Sequence, residues 1–229
     1  MNRLLIDFMN WLNCQDILVY NEFSLQFELG CFLRSNGYTV RFERNVSYYV
    51  PKGTAKQFIK KEIDLVAFKG QDEMNAKKIA IELKFPRNGQ VPEQMFKFIE
   101  DIRFMEQVRR IQDFAETYVL CLVDSPNFYK HEPNQSGIYK YFRNPGEIIN
   151  IPGNNTITKP TGKKNKSITL SKDYSSQWLK PGAKWLDLMN AKQKQLKPQD
   201  YRYYIIDVKR VPAPPSGFGG IAVEPRSQS

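Results

Sequence analysis

Asp64, Glu82 and Lys84 are the residues of this chain whose types and setting best fit chemistry. Asp64 lies in KEIDLVAF, and Glu82 and Lys84 lie in KKIAIELKFP, with an eight-residue polar loop between the two runs. Ile63, Leu65, Val66, Ala67 and Phe68 in the first, and Ile79, Ala80, Ile81, Leu83 and Phe85 in the second, are the β-rich apolar runs of core strands. A carboxylate placed there is costly unless it is paired or binds a metal. Alternation along a strand puts Glu82 and Lys84 on one face and Leu83 on the other. If the runs form a hairpin with Asp64 facing the same way, two carboxylates and an ammonium converge. Two such oxygen ligands suit Mg2+, which typically takes one or two carboxylates together with substrate phosphate and water. The lysine would orient or help deprotonate a water, and the ion would stabilise charge developing on a phosphate. The same residues are open to a plainer reading, a buried ion pair of Lys84 with Glu82 or Asp64.

Asp64 followed by Glu82-Leu83-Lys84 resembles the D…(D/E)-x-K core of the PD-(D/E)XK nuclease superfamily, the restriction-endonuclease-like fold. Ile63 stands where that pattern nominally has proline. The resemblance spans roughly residues 21 to 124. It implies an α/β restriction-endonuclease-like core, a central mixed β-sheet flanked by helices. It also implies a Mg2+-dependent phosphodiesterase, with Mn2+ able to substitute and no organic cofactor. Asp64 and Glu82 would hold the metal with the Leu83 carbonyl as a further ligand, and Lys84 would position the attacking water. The expected substrate is DNA and the expected mode endonucleolytic, in a restriction or defence role. The alternatives are a nuclease for RNA or for branched or damaged DNA, and a non-cleaving nucleic-acid-binding or assembly protein on the same fold. A homodimer would suit a cut through both strands of a duplex.

The elements that must position these residues can be read from periodicity. Arg3 to Leu12 has the spacing of an amphipathic helix. Asn21 to Asn36 reads as a second, capped by Asn21 and closed by Gly37. Its apolar stripe is Leu25, Leu29, Phe32 and Leu33, and Glu22 lies within the stripe's angular span with Gln26 at its border. Glu28 falls about 120° from Glu22 at helical spacing, so the two are alternatives for an accessory acid, Glu22 being preferred. A carboxylate on the helix before the sheet resembles the family's first acidic residue, which assists with metal or water. Tyr38 to Arg44 alternates as a half-buried strand.

After Phe85, Asn88-Gly89 marks a turn and Pro92 a helix start. The helix that follows sets Met95, Ile99, Ile102, Met105, Val108 and Ile111 on one face. Gln94 in its first turn resembles a polar residue that some nuclease subfamilies supply from this helix, and Arg87 is a phosphate-contact candidate. Thr117 to Val123 reads as a strand covered on both faces. Because a helix joins it to the Glu82 strand, the pair should be parallel. Further on, Ile138 to Arg143 (IYKYFR) is expected as a short strand and Asn144 to Lys166 as a polar linker. Ser175 to Leu196 is expected as a helix and Tyr201 to Val208 as a last strand.

Charge divides unevenly along the 229 residues. Residues 1–150 carry 20 Lys and Arg against 19 Asp and Glu, whereas residues 151–229 carry 14 against 5, so the net charge of +10 belongs mostly to the last third. The division follows the expected organisation: a nuclease-like core over 1–150 and a basic extension over 151–229 packed on the same domain, with a flexible tail from 212. A cationic region beside a metal site suits a polyanion. Lys60 and Lys61, in the loop before the Asp64 strand, and Lys163, Lys164 and Lys166 are the candidate nucleic-acid contacts. Three separated cysteines and a single histidine, His131, exclude a paired-cysteine zinc motif and make a histidine triad a poor fit. No apolar run reaches the ~20 residues of a membrane span, and a cytoplasmic protein with no membrane partner is expected.

Overall fold

A computed structural model describes residues 2–133, 135–162, 166–192 and 200–209. Two helices come first, α1 (Asn2–Cys14) and α2 (Glu22–Ser35). Leu5, Phe8, Met9 and Leu12 give α1 one buried face, as the periodicity predicts. α2 opens on a capping box in which the Asn21 side chain accepts from Ser24 N at 2.8 Å and Ser24 Oγ accepts from Asn21 N at 3.0 Å. It closes where Gly37 takes a φ of 77°. There Gly37 N donates to Arg34 O at 2.9 Å and Tyr38 N to Leu33 O at 3.1 Å, a left-handed closure that favours glycine.

Strands β1 (Thr39–Asn45), β2 (Glu62–Phe68) and β3 (Lys78–Lys84) follow as an antiparallel meander. Between β1 and β2 the chain makes two 3-10 turns, Val46–Tyr48 and Thr54–Gln57. Helix α3 (Val91–Val108), with Pro92 in its first turn, carries the chain to β4 (Phe114–Val123), which pairs in parallel with β3. The parallel pairing is the one that a helical crossover requires.

The second half contributes α4 (Tyr139–Phe142), β5 (Ile148–Ile151), β6 (Thr156–Thr158), β7 (Ser167–Thr169), β8 (Tyr174–Gln177), α5 (Ala183–Lys192) and β9 (Arg202–Asp207). β9 lies antiparallel to β4 and completes a mixed sheet in the order β1-β2-β3-β4-β9. β5 pairs with β8 and β6 with β7 as two small ribbons. Alternation sorts the core into two layers. Val66, Phe68, Ala80, Val119, Cys121 and Tyr204 lie under α3, and Ile149, Ile157, Ile168 and Trp178 join them there from the second half. Leu65, Ile79, Ile81, Leu83 and Leu120 face α1 and α2 together with Trp185 and Met189 of α5.

Three sequence expectations are corrected. Ile138 to Arg143 is not a strand: residues 139–142 form a single helical turn with Phe142 buried, and the alternation of aromatic and basic residues was accidental to it. Asn144 to Lys166 is not a linker, because it holds β5 and β6, whose Ile149, Ile151 and Ile157 are buried. A few alternating isoleucines amid Asn, Thr and Gly suffice, since each faces α3's layer while the polar residues face outward. Ser175 to Leu196 is not one helix. It begins as β8, and α5 starts only after Pro181-Gly182, a helix-breaking pair. Lys163, Lys164 and the expected tail from 212 lie outside the described residues, as does the basic segment from Gln193 to Lys197.

Glu106 of α3 ties the two halves together. Fully buried, it accepts from Arg103 Nη1 at 2.7 Å, Ser171 N at 2.8 Å, Ser171 Oγ at 3.0 Å and Tyr174 Oη at 3.0 Å. Glu106→Ala leaves those donors without their acceptor and should destabilise the fold by roughly 2–4 kcal/mol. Urea unfolding at pH 7 measures it, and an unchanged midpoint would show that the clasp carries no stability.

Candidate functional site

Sheet pairing breaks at Asp64. β1 meets β2 at Phe42↔Leu65 and again at Arg44↔Ile63, skipping Glu43 and Asp64, and the β2–β3 ladder starts only at Leu65↔Ile81. Glu43 takes a left-handed φ of 48° at the break. Side chains supply the hydrogen bonds that the ladder omits. Asp64 N donates to Glu82 Oε1 at 3.2 Å, and Gln26 Nε2 donates to the Asp64 carbonyl at 2.6 Å and to Glu43 Oε1 at 2.7 Å. The Asp64 carboxylate in turn accepts the Leu83 N–H at 2.7 Å. A backbone group removed from both ladder and water needs such a partner, so the candidate carboxylates also hold the strand ends in place.

Asp64, Glu82 and Lys84 share the alternation of Val66 and Ala80 and therefore face α3. From α3, Asp101 meets them. Lys60, from the segment leading into β2, ion-pairs with Glu82 and lies 3.0 Å from Asp101 Oδ1. Lys84 Nζ lies 3.0 Å from Glu22 Oε1, 3.3 Å from the Leu83 carbonyl and 3.9 Å from Asp101 Oδ2. Glu22 closes the far side by accepting the Phe85 N–H at 3.1 Å. Its place in the first turn of α2, fixed by the Asn21 cap, aims the carboxylate at the end of β3.

Burial dominates the electrostatics. It pushes the Asp64 carboxyl up to about 6, against the opposing pull of Lys60 and of the Leu83 N–H. Glu82 is raised well above the carboxylate range by burial and then by the charge of Asp64, with Lys60 opposing. Burial also raises Asp101, opposed by Lys84 and Lys60. For the two lysines, burial acts downward but is outweighed. Asp101, Glu82 and Asp64 raise Lys60, and Asp101 and Glu22 raise Lys84, so both hold their protons firmly.

The site opens into a cleft of about 430 Å³ lined by Glu22, Lys60, Lys84, Gln94, Lys97, Asp101 and Lys166, among others. The structure thus gathers Asp64, Glu82, Lys84, Leu83 and Glu22. Glu28, the alternative to Glu22, is not among the cleft's lining residues. Gln94 reaches the cleft, yet its amide donates to Asn88 O at 2.8 Å within its own turn. Arg87 pairs with Asp124 at 2.9 Å. Lys166 pairs with Glu100 at the cleft's edge, and Lys61 is exposed.

Two placements go beyond the sequence reading. Lys60 points inward to the carboxylates rather than outward to solvent. Asp101 joins the site from α3, where its signal in the sequence is its spacing: it follows Phe98 by three and precedes Met105 by four, and both are buried. Among the described residues no group of three or more His, Cys, Asp or Glu side chains is assembled as a metal cluster, and no helix is long and apolar enough to cross a membrane. No protein-family model matches the sequence, and no curated protein matches it.

A carboxyl whose value is higher folded than unfolded gives stability at low pH that is lost as pH rises. For Asp64 the window runs from its ordinary value of 3.8 to about 6, where the folded chain binds a proton that the unfolded chain releases. Asp64→Asn should therefore show a smaller fall in unfolding free energy between pH 4.5 and 6.5 than the parent, measured without divalent ions. Equal falls in the two proteins would remove Asp64 as a contributor.

Proposed function

We propose that this chain is a Mg2+-dependent nuclease that hydrolyses DNA phosphodiesters on a restriction-endonuclease-like core. One observation carries the reading: Asp64, Glu82 and Lys84, distant from Glu22 and Asp101 in sequence, meet at the open end of β3 beneath a cleft edged by lysines. The donor set fits a hard divalent cation, because oxygen ligands dominate it and its carboxylates already hold a positive charge, the Lys60 ammonium. Asp64 and Glu82 would hold the metal, with the Leu83 carbonyl beside them. When bound, the ion would neutralise charge at the scissile phosphate and acidify a water.

The protein's own groups define the remaining roles. Asp101 and Glu22 keep Lys84 protonated, so it acts as a hydrogen-bond donor that orients the attacking water or a phosphoryl oxygen, rather than as a base. Glu22 fixes Lys84 and the Phe85 backbone in one contact set. Lys97 and Lys166 line the cleft and would meet the substrate backbone, whose affinity is set largely by phosphate neutralisation. One copy of the site serves one strand, and a second copy would cut the other.

A second reading is favoured by one specific contact. Because Lys60 pairs with Glu82 and Asp101, the carboxylates have a cationic partner without a metal, which would also suit a protein that binds nucleic acid and does not cut it. Calorimetric titration with Mn2+ separates the two, since metal binding that Asp64→Ala abolishes belongs to the nuclease alone.

Supercoiled plasmid should be nicked in Mg2+ and left intact in EDTA. Asp64→Ala and Lys84→Ala should each slow nicking by about 100-fold or more with the circular dichroism spectrum retained, and full activity in either would sink the assignment. Binding to a labelled duplex without divalent ions gives an independent check. Lys97→Ala and Lys166→Ala should each weaken it and lower the slope of log affinity against log salt by up to about one.

A further inference from the structure

Lys60 reaches into the site from an irregular segment. Residues 58–61 lie between the Thr54–Gln57 turn and β2. The segment is tethered to α3 through Gln107, whose Oε1 accepts Ile59 N at 2.9 Å and whose Nε2 donates to Gln57 O at 3.0 Å. The Lys60 side chain is 29% exposed, whereas its partners Glu82 and Asp101 are 0% and 3% exposed. Its ammonium therefore enters from the cleft and ends between buried carboxylates. Asp101 Oδ2 is buried without a hydrogen-bond partner, and Lys84 at 3.9 Å is too far to supply one. Asp64, Glu82, Asp101 and Glu22 together carry four potential negative charges against the two positive charges of Lys60 and Lys84. A divalent cation in place of Lys60 would bring three positive charges against the four, and it and the Lys60 ammonium would repel each other if both were present.

We propose that Lys60 is an exchangeable cation of this site, holding the position beside Glu82 and Asp101 until a divalent metal displaces it into the cleft, where its ammonium meets a substrate phosphate. The inference rests on the metal-dependent reading above and adds Asp101 to the groups that the incoming cation would compensate. Metal and polyanion then bind cooperatively, because each stabilises the position of Lys60 that the other needs. By reciprocity, the substrate raises metal affinity by the same factor by which metal raises substrate affinity. Lys60 already shares the cleft lining with Lys84, Lys97 and Lys166, so the displaced ammonium moves toward the anion rather than into bulk water.

The test has a readout in the unaltered protein. Lysine labelling by reductive methylation, quantified by mass spectrometry, should find Lys60 protected without metal and labelled about tenfold faster with saturating Mn2+, a coupling of ordinary size, while exposed Lys61 stays constant. In calorimetric titration, Lys60→Met should bind Mn2+ about tenfold more tightly than the parent and Lys60→Arg no more tightly than the parent. Adding a short phosphorothioate duplex should tighten Mn2+ binding to the parent by a larger factor than to Lys60→Met. Mn2+ binding that leaves Lys60 protected, or that is equal or weaker in a folded Lys60→Met, overturns the exchange. Absence of Asp64-dependent Mn2+ binding in every variant overturns the metal reading itself.

Discussion

Asp64, Glu82 and Asp101 sit where water barely reaches, and an isolated buried carboxylate costs several kcal/mol. Everything around the site meets that cost. Lys60 and Lys84 supply positive charge, the Leu83 and Phe85 N–H groups are satisfied by Asp64 and Glu22, and the Asp64 backbone is satisfied by Glu82 and Gln26. The compensation is incomplete, since Asp101 Oδ2 is buried without a hydrogen-bond partner, and burial pushes all three carboxyls upward. A fully compensated cluster would be inert structure. An undercompensated one retains affinity for further positive charge, which is the property that a metal site needs.

The interruption of the sheet has the same origin. A regular ladder through Asp64 would have satisfied its backbone without help from side chains and left the carboxylates no structural task. Because the pairing skips Glu43 and Asp64, removing Glu82 or Gln26 would expose backbone groups as well as lose a charge. Geometry and stability are coupled at this point, because Asp64 and Glu82, which bridge the interrupted strands, are also charged groups of the site.

How legible the site was depended on whether a residue broke a pattern. Asp64, Glu82 and Lys84 stood out because they interrupt apolar strands, and Glu22 because it falls within a helical stripe. Asp101 interrupts an apolar helix in the same way, falling between Met105 and Val108 of the expected stripe at 100° per residue, so its burial was legible in the same period that shows the helix. Lys60 was unreadable: its segment has no period, and a long flexible side chain can point inward or outward from the same backbone. In the second half, short strands such as β6 and β7, each with a single buried isoleucine, give too little alternation to register. Tyr201 to Val208, by contrast, is a long enough apolar run to show as a strand.

β9 joins residues 202–207 to β4 at 118–123, with some eighty residues between the partners. The central sheet therefore cannot reach its full width until almost the whole described chain has been synthesised. Pairings so distant in sequence are slow to form, and until β9 arrives β4 presents an open edge bearing Val119, Leu120, Cys121 and Leu122. An unpaired apolar edge of that kind is a template for association with other chains. During translation the C-terminal strand thus acts as a late seal, and a ribosome that stalls before it would release a nascent chain prone to aggregate.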